Sequence, residues 1–160
     1  MFGFPEVSEA EMRAVFENNI RYITKERSDT LNSMFSPEVV SCDPLVPKLC
    51  LCFPITEKML NTSGIAHGGV ISMAYDITMG TMARWFQNGR MSPTLTMSFE
   101  FIKPVPAKSR LILEARPVAV GRHTIDFSSR GWLEGAEDVI VNRATGRFFI
   151  YDPIKFSSNA

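Results

Sequence analysis

Between Gly68 and Phe86 the sequence runs G-G-V-I-S-M-A-Y-D-I-T-M-G-T-M-A-R-W-F. Val70, Ile71, Met73, Ala74, Tyr75, Ile77, Met79, Met82, Ala83, Trp85 and Phe86 leave no polar face, and a helix that is apolar all round is a buried helix. A Gly-rich turn from Asn61 feeds it, and Gln87-Asn88-Gly89 supplies residues suited to its C-terminus. Such a helix spans about 28 Å, but Asp76, Arg84 and the threonines argue against a membrane span. The rest of the chain therefore has to wrap this one element. Asp76 sits in the middle of the run. Burying an unpaired carboxylate is costly, so Asp76 is expected to be hydrogen-bonded, shifted in pKa or facing a cleft.

With 160 residues, 45% of them hydrophobic, the chain has material for one domain with a sizeable core. Lys plus Arg and Asp plus Glu number 17 each, so no net field favours nucleic acid or an anionic membrane. The start, Met1-Phe2-Gly3-Phe4-Pro5-Glu6, has neither the basic segment nor the apolar run of a signal peptide. Three cysteines, an odd number, fit a reducing compartment, and a cytoplasmic location is expected. Cys50 and Cys52 share one face of a predicted strand and are expected to be buried thiols rather than metal ligands. Asn61-Thr62-Ser63 matches a glycosylation sequon, which without secretion is accidental.

Ser8-Glu9-Ala10-Glu11 is a capping box, followed by Met12, Val15, Phe16, Ile20 and Ile23 at helical spacing, so a surface helix is predicted over about 9–26. A short helical turn is expected within Asp29 to Phe35. Pro37, Pro44 and Pro47 then break regularity, with Val39-Val40 a short edge strand. The segment 28–48 has few anchors and reads as a packed connection or a lid, the connection being favoured. Leu49 to Thr56 is the first core strand. After the helix come Thr94 to Lys103, with Leu95, Met97, Phe99 and Phe101 alternating with polar residues, then Arg110 to Val120 and Thr124 to Leu133. A last strand reaches Tyr151, interrupted or bulged near Asn142 to Gly146. Helix, strand, long buried helix and a run of antiparallel strands define an α+β fold, one sheet around one helix. The core spans about 45–151, and a frayed tail is expected over 153–160.

Asn61, Gly64, His67-Gly68-Gly69, Asp76 and Gly80 in this register, with Thr94 heading the next strand, resemble the hotdog-fold acyl-CoA thioesterases. The nearest group is the phenylacetic-acid-type branch of the 4-hydroxybenzoyl-CoA thioesterase superfamily. The resemblance covers roughly residues 45–151 and implies roles. Asp76 falls at the catalytic carboxylate, a general base on water or a nucleophile. Asn61 falls where a residue holds the water or the substrate carbonyl, the Gly68 N–H at the oxyanion hole, and His67 at the residue orienting that loop. Thr94 takes the place of a Ser or Thr beside the carboxylate. Lys103, Arg122 and His123 are nominated for the coenzyme A phosphates, Gly69 for close approach of the substrate, and Trp85 and Phe86 for the acyl pocket. No metal or redox cofactor is implied; coenzyme A enters as part of the substrate. The family pairs sheets edge to edge, implying a homodimer or a dimer of dimers.

Part of this follows from the residues themselves. Thioester hydrolysis needs a group to activate water and donors for the oxyanion, and a helix N-terminus offers free N–H groups. Gly68 and Asp76 are eight residues apart, about 12 Å along a helix, so both act on one carbonyl only if one of them comes from a second copy. Each residue also has a plainer reading: Asp76 as a structural acid bonded to Ser or Thr, His67 and Asn61 as turn residues, Gly68 and Gly69 as packing glycines, Thr94 as an ordinary strand residue, and the three basic residues as solvated charges. Two alternatives stand beside hydrolysis: a non-catalytic acyl-CoA binding or sensing protein, and, with less support, an acyl-thioester dehydratase or hydratase.

Overall fold

Ser8 opens the first helix as the sequence predicts. Its hydroxyl accepts the Glu11 N–H, and the Glu11 carboxylate accepts the Ser8 N–H at 2.8 Å, the reciprocal bonds of a capping box. Helix α1 (Glu9–Arg21) continues as a π-helical stretch over Tyr22–Glu26, so helical structure ends where expected. Met12, Phe16 and Ile20 are its buried residues, whereas Val15, on the same apolar spacing, is exposed. The structure, a computed structural model, describes residues 7–151; the predicted frayed tail lies outside them.

A 3-10 turn at Leu31–Met34 leads to β1 (Glu38–Asp43) and β2 (Lys48–Pro54). A second 3-10 turn (Glu57–Met59) precedes α2 (Gly68–Phe86), and β3 (Thr94–Phe101), β4 (Arg110–Val120), β5 (Thr124–Leu133) and β6 (Ile140–Phe149) complete the chain. The strands form one antiparallel sheet in the order β1-β2-β4-β5-β6-β3. Helix α2 packs against β2 through β6, the expected wrap of one sheet around one helix. Leu49, Leu51 and Phe53 of β2 join that core, while Cys50 and Cys52 pack on the opposite face with Ile112 and Trp132. Both thiols are buried, and burial pushes Cys52 up to about 11. No helix among the described residues is long and apolar enough to cross a membrane.

The structure revises several sequence expectations. The segment before Leu49 belongs to the sheet: β1 is longer than Val39-Val40, and Arg13 of α1 covers its edge by donating to the Val39 and Val40 carbonyls at 2.9 and 3.0 Å. Phe35, packed edge-on against Phe53 at 5.8 Å, anchors the connection. Strand β6 is continuous through Gly146. Its irregularity lies at the start, where Gly131 pairs Asn142 but Trp132 pairs Ile140, so Val141 is the extra residue. The Val141 carbonyl accepts both the Ile102 and the Lys103 N–H, which ends β3 at Phe101 rather than Lys103.

Nor is α2 buried all round. Gly69 and Asp76 are exposed and Met73 and Gly80 half-buried, a strip at helical spacing. It lies where the wrapping stops, because β3 is the sheet's edge. For the same reason the predicted alternation of β3 does not give one covered face: Leu95 and Phe101 are about half exposed, and only Met97 and Phe99 pack on the core.

Candidate active site

At the N-terminus of α2 the chain has to satisfy the first N–H groups of a helix. His67 is the N-cap, and its Nδ1 accepts the Gly69 N–H at 2.9 Å. The His67 carbonyl accepts from Val70 at 2.9 Å and Ile71 at 3.1 Å. Gly68 N–H has no partner among the described residues, so this donor stands open at the positive end of a helix of 19 residues. Because His67 Nδ1 is an acceptor here, its proton sits on Nε2 when the ring is neutral. Phe101 packs against Gly68, its ring 3.4 Å from where a Cβ would stand.

Asn61 builds the loop before the helix. Its side-chain oxygen accepts the Ser63 N–H at 2.9 Å and the Ile65 N–H at 3.4 Å, and its carbonyl accepts the Gly64 N–H at 3.0 Å. Gly64 turns the chain with φ +75°, a conformation that favours glycine. With the oxygen committed to the turn, the Asn61 Nδ2 group is what remains to hold a water or a carbonyl.

Two turns further along α2, the Thr94 hydroxyl donates to Asp76 Oδ1 at 2.6 Å. A register shift between Thr94 and Thr96 sets Thr94 toward the helix. The bond engages one carboxylate oxygen and leaves Oδ2 for other chemistry. Asp76 and Thr94 lie in the wall of a cleft of about 290 Å³ between α1, α2 and the 91–94 loop. The cleft also takes in Asn19, Ile23, Ser92 and Phe148, which sequence reasoning did not nominate.

The remaining nominees scatter. Trp85 and Phe86 do not line the Asp76 cleft. Phe86 is core, 8% exposed against Trp85 and Phe127. Trp85 lies 6.3 Å from Phe16 and lines a neighbouring cleft of about 240 Å³. Arg122 and His123 sit in the exposed β4–β5 turn, with His123 stacked on Phe149. Since Phe148 pairs with both Thr94 and Ile125, that turn is at the Asp76 end of the sheet. Lys103 is exposed at the other end of β3, two residues past Phe101, whose ring meets Gly68. Within one copy the two ends of the site face apart.

One sheet wrapped around a long helix that carries both the Asp76 carboxylate and the Gly68 N–H is the hotdog arrangement. The family model of the Thioesterase superfamily matches residues 63–140, which hold α2, Asp76 and Thr94. Thioesterase superfamily member 2 from Mus musculus superposes with a TM-score of 0.72 at 14% identity, covering 87% of this chain and 97% of that one. The PaaI protein from the E. coli phenylacetic acid degradation operon gives 0.70 at 14% identity, over 89% and 97%. A hypothetical thioesterase with coenzyme A from Streptococcus pneumoniae TIGR4 gives 0.63 at 20% identity, over 75% and 92%. No curated protein matches the chain. Residues 63–140 thus carry the match to the Thioesterase superfamily, and the chain has the hotdog fold of these neighbours.

Proposed function

We propose that the protein hydrolyses an acyl-CoA thioester to the free acid and coenzyme A, with Asp76 as the catalytic residue. The Thr94–Asp76 bond carries this reading: it fixes one carboxylate oxygen and leaves the other to meet a water or the thioester carbon. Asp76 either removes a proton from water as it attacks the carbonyl, or attacks itself to give a mixed anhydride that water then opens. In both routes the C–S bond breaks and the sulfur leaves as coenzyme A thiolate, which takes up a proton. The developing oxyanion meets the Gly68 N–H, whose loop is held by His67, while Asn61 Nδ2 steadies the water or the carbonyl. The coenzyme A bound in the Streptococcus pneumoniae neighbour supports this class of substrate.

Geometry asks for two copies. Gly68 lies toward the Phe101 end of β3 and Asp76 toward the Thr94 end, about 12 Å apart along α2. A two-fold axis across the free edge of β3 sets Thr94 of one copy beside Phe101 of the other, bringing Asp76 to Gly68 of a second copy. It also brings Lys103 to the side of Arg122 and His123, a basic group for the coenzyme A phosphates. Release of free thiol from a series of short, medium, long and aromatic acyl-CoAs tests the reading. Turnover is expected for at least one of them, and Asp76→Asn is expected to lower kcat by at least about a hundredfold with the fold intact by circular dichroism. Undiminished turnover in Asp76→Asn removes Asp76 from the chemistry. Stoichiometric binding without thiol release makes the protein an acyl-CoA binding or sensing protein instead.

A further inference from the structure

We infer that His123, Phe149 and Tyr151 form a stacking platform for a nucleobase, the adenine of the coenzyme A ester. The inference rests on the thioesterase reading for the identity of the ligand. Three rings meet at the end of the sheet that carries Thr94. The His123 ring lies 6.4 Å from that of Phe149 with the planes 13° apart, and Tyr151 stands edge-on to Phe149 at 5.1 Å and 83°. The backbone holds them together. The Ile150 N–H donates to the His123 carbonyl at 3.0 Å, tying the β4–β5 turn to the chain that leaves β6, and the Tyr151 N–H donates to Gln87 Oε1 at 3.0 Å. His123 is exposed and Tyr151 is 56% exposed. Successive residues of a strand face opposite sides, so Phe148 packs in the core and lines the Asp76 cleft while Phe149 faces away from it. The platform shares none of the cleft's lining residues, and Phe149 and Tyr151 lie beyond the matched segment 63–140.

Ring faces gathered at an exposed place mark a contact surface, and flat aromatic side chains take a base through its π-face. Charge and distance narrow the ligand to a base that carries phosphate. Arg122, beside His123 in the turn, is exposed and holds no ion pair among the described residues. Thr94 on β3 pairs with Phe148 on β6, and Phe148 pairs with Ile125 on β5. His123, just before β5, therefore stands two strand spacings, roughly 10 Å, from Thr94. The pantetheine arm of coenzyme A has about 13 bonds from sulfur to the first phosphate, an extended reach of about 16 Å. A thioester held at Asp76 thus lets the arm pass the end of β6, sets the pyrophosphate beside Arg122 and lays the adenine on the rings. His123, nominated for its charge, acts here through its ring face.

The probes are coenzyme A and phosphopantetheine, which share the arm and its phosphate, whereas only coenzyme A carries the base. Their Kd values on the full-length protein, measured by calorimetry, are compared in the wild type, His123→Ala, Tyr151→Ala and Tyr151→Phe. Coenzyme A should bind the wild type more tightly than phosphopantetheine does. Alanine at either position should weaken coenzyme A by about 5- to 100-fold, the range for losing one base–aromatic stack, and weaken phosphopantetheine far less. Tyr151→Phe keeps the ring and should stay close to wild type. Because Tyr151→Ala removes no charge, its effect should persist in high salt, which screens a phosphate contact. Equal loss for both probes, no loss in either alanine variant, or no binding of coenzyme A overturns the platform. If the expected Kd changes appear in a protein that releases thiol from no ester, the platform stands and the thioesterase reading falls. If thiol is released and the Kd for coenzyme A ignores both alanines, the platform falls and the thioesterase reading stands.

Discussion

The Thr94 hydroxyl donates a hydrogen bond to Asp76 Oδ1 at 2.6 Å, and under the proposed hydrolysis this sets which carboxylate oxygen is left for the substrate. Thr94→Val keeps the side chain's shape and removes that donor. A hydrogen bond to a charged group is worth about 1.5–3 kcal/mol, so kcat should fall roughly 10- to 100-fold, with KM little changed and Thr94→Ser restoring most of the loss. Steady-state kinetics separates the two parameters, and an unchanged kcat would leave Thr94 a plain strand residue. That Asp76 needed a partner was legible from its standing alone in an apolar run; that the partner is Thr94 came from the family resemblance. Asn61 was legible as a position, but its oxygen being held by the turn at Ser63 and Ile65 required the folded loop. Asn19 and Ser92 were not legible at all. Along α1, Asn19 falls between the apolar positions Phe16 and Ile20 and reads as solvent-facing; only the packing of α1 on α2 turns it to Thr81.

At the scale of elements, apolar patterning and turn residues located α1, α2 and β2 to β6, whereas β1 was seen only as Val39-Val40, and the patterning failed where one element meets another. The irregularity in β6 was expected near Asn142 to Gly146 and falls at Val141, because the constraint lies across the sheet. A Cβ on Gly131 would come within 2.1 Å of Asn142 Oδ1, 2.6 Å of Leu113 Cδ2 and 3.0 Å of the Tyr75 hydroxyl. Asn142 in turn accepts the hydroxyl of Tyr75, a fully buried residue of α2. The β5–β6 ladder thus closes onto the helix only with glycine at 131. Gly131→Ala should cost about 1–3 kcal/mol by overpacking, read as a lower midpoint in urea denaturation, whereas an alanine at Gly135, where nothing lies within 4 Å but φ is +81°, meets backbone strain alone. The exposed strip of α2 has a related origin. The sheet ends at β3 and leaves Gly69, Met73, Asp76 and Gly80 uncovered.

For the whole molecule, that uncovered strip and the half-exposed Leu95, Phe101 and Ile102 lie along the edge that the proposed two-fold would close, and exposed apolar edges of this kind invite pairing. The shared site makes a prediction that a self-contained monomer cannot satisfy. Gly68 is the first helical residue, where proline is well tolerated and its lack of an N–H costs the helix nothing. Gly68→Pro therefore deletes the proposed oxyanion donor and leaves α2 in place. Alone, Gly68→Pro and Asp76→Asn should each be nearly inactive. When the two are unfolded together and refolded as an equal mixture, each hybrid dimer carries one site with both lesions and one with neither. Half of the dimers being hybrid, turnover should recover to about a quarter of wild type. Recovery needs mixing of subunits, so it should be absent when the two variants are folded separately and assayed in one tube before exchange. No recovery after co-refolding, with dimers seen by sedimentation, would place both groups on the same carbonyl within one copy, against the separation of about 12 Å that α2 imposes between them.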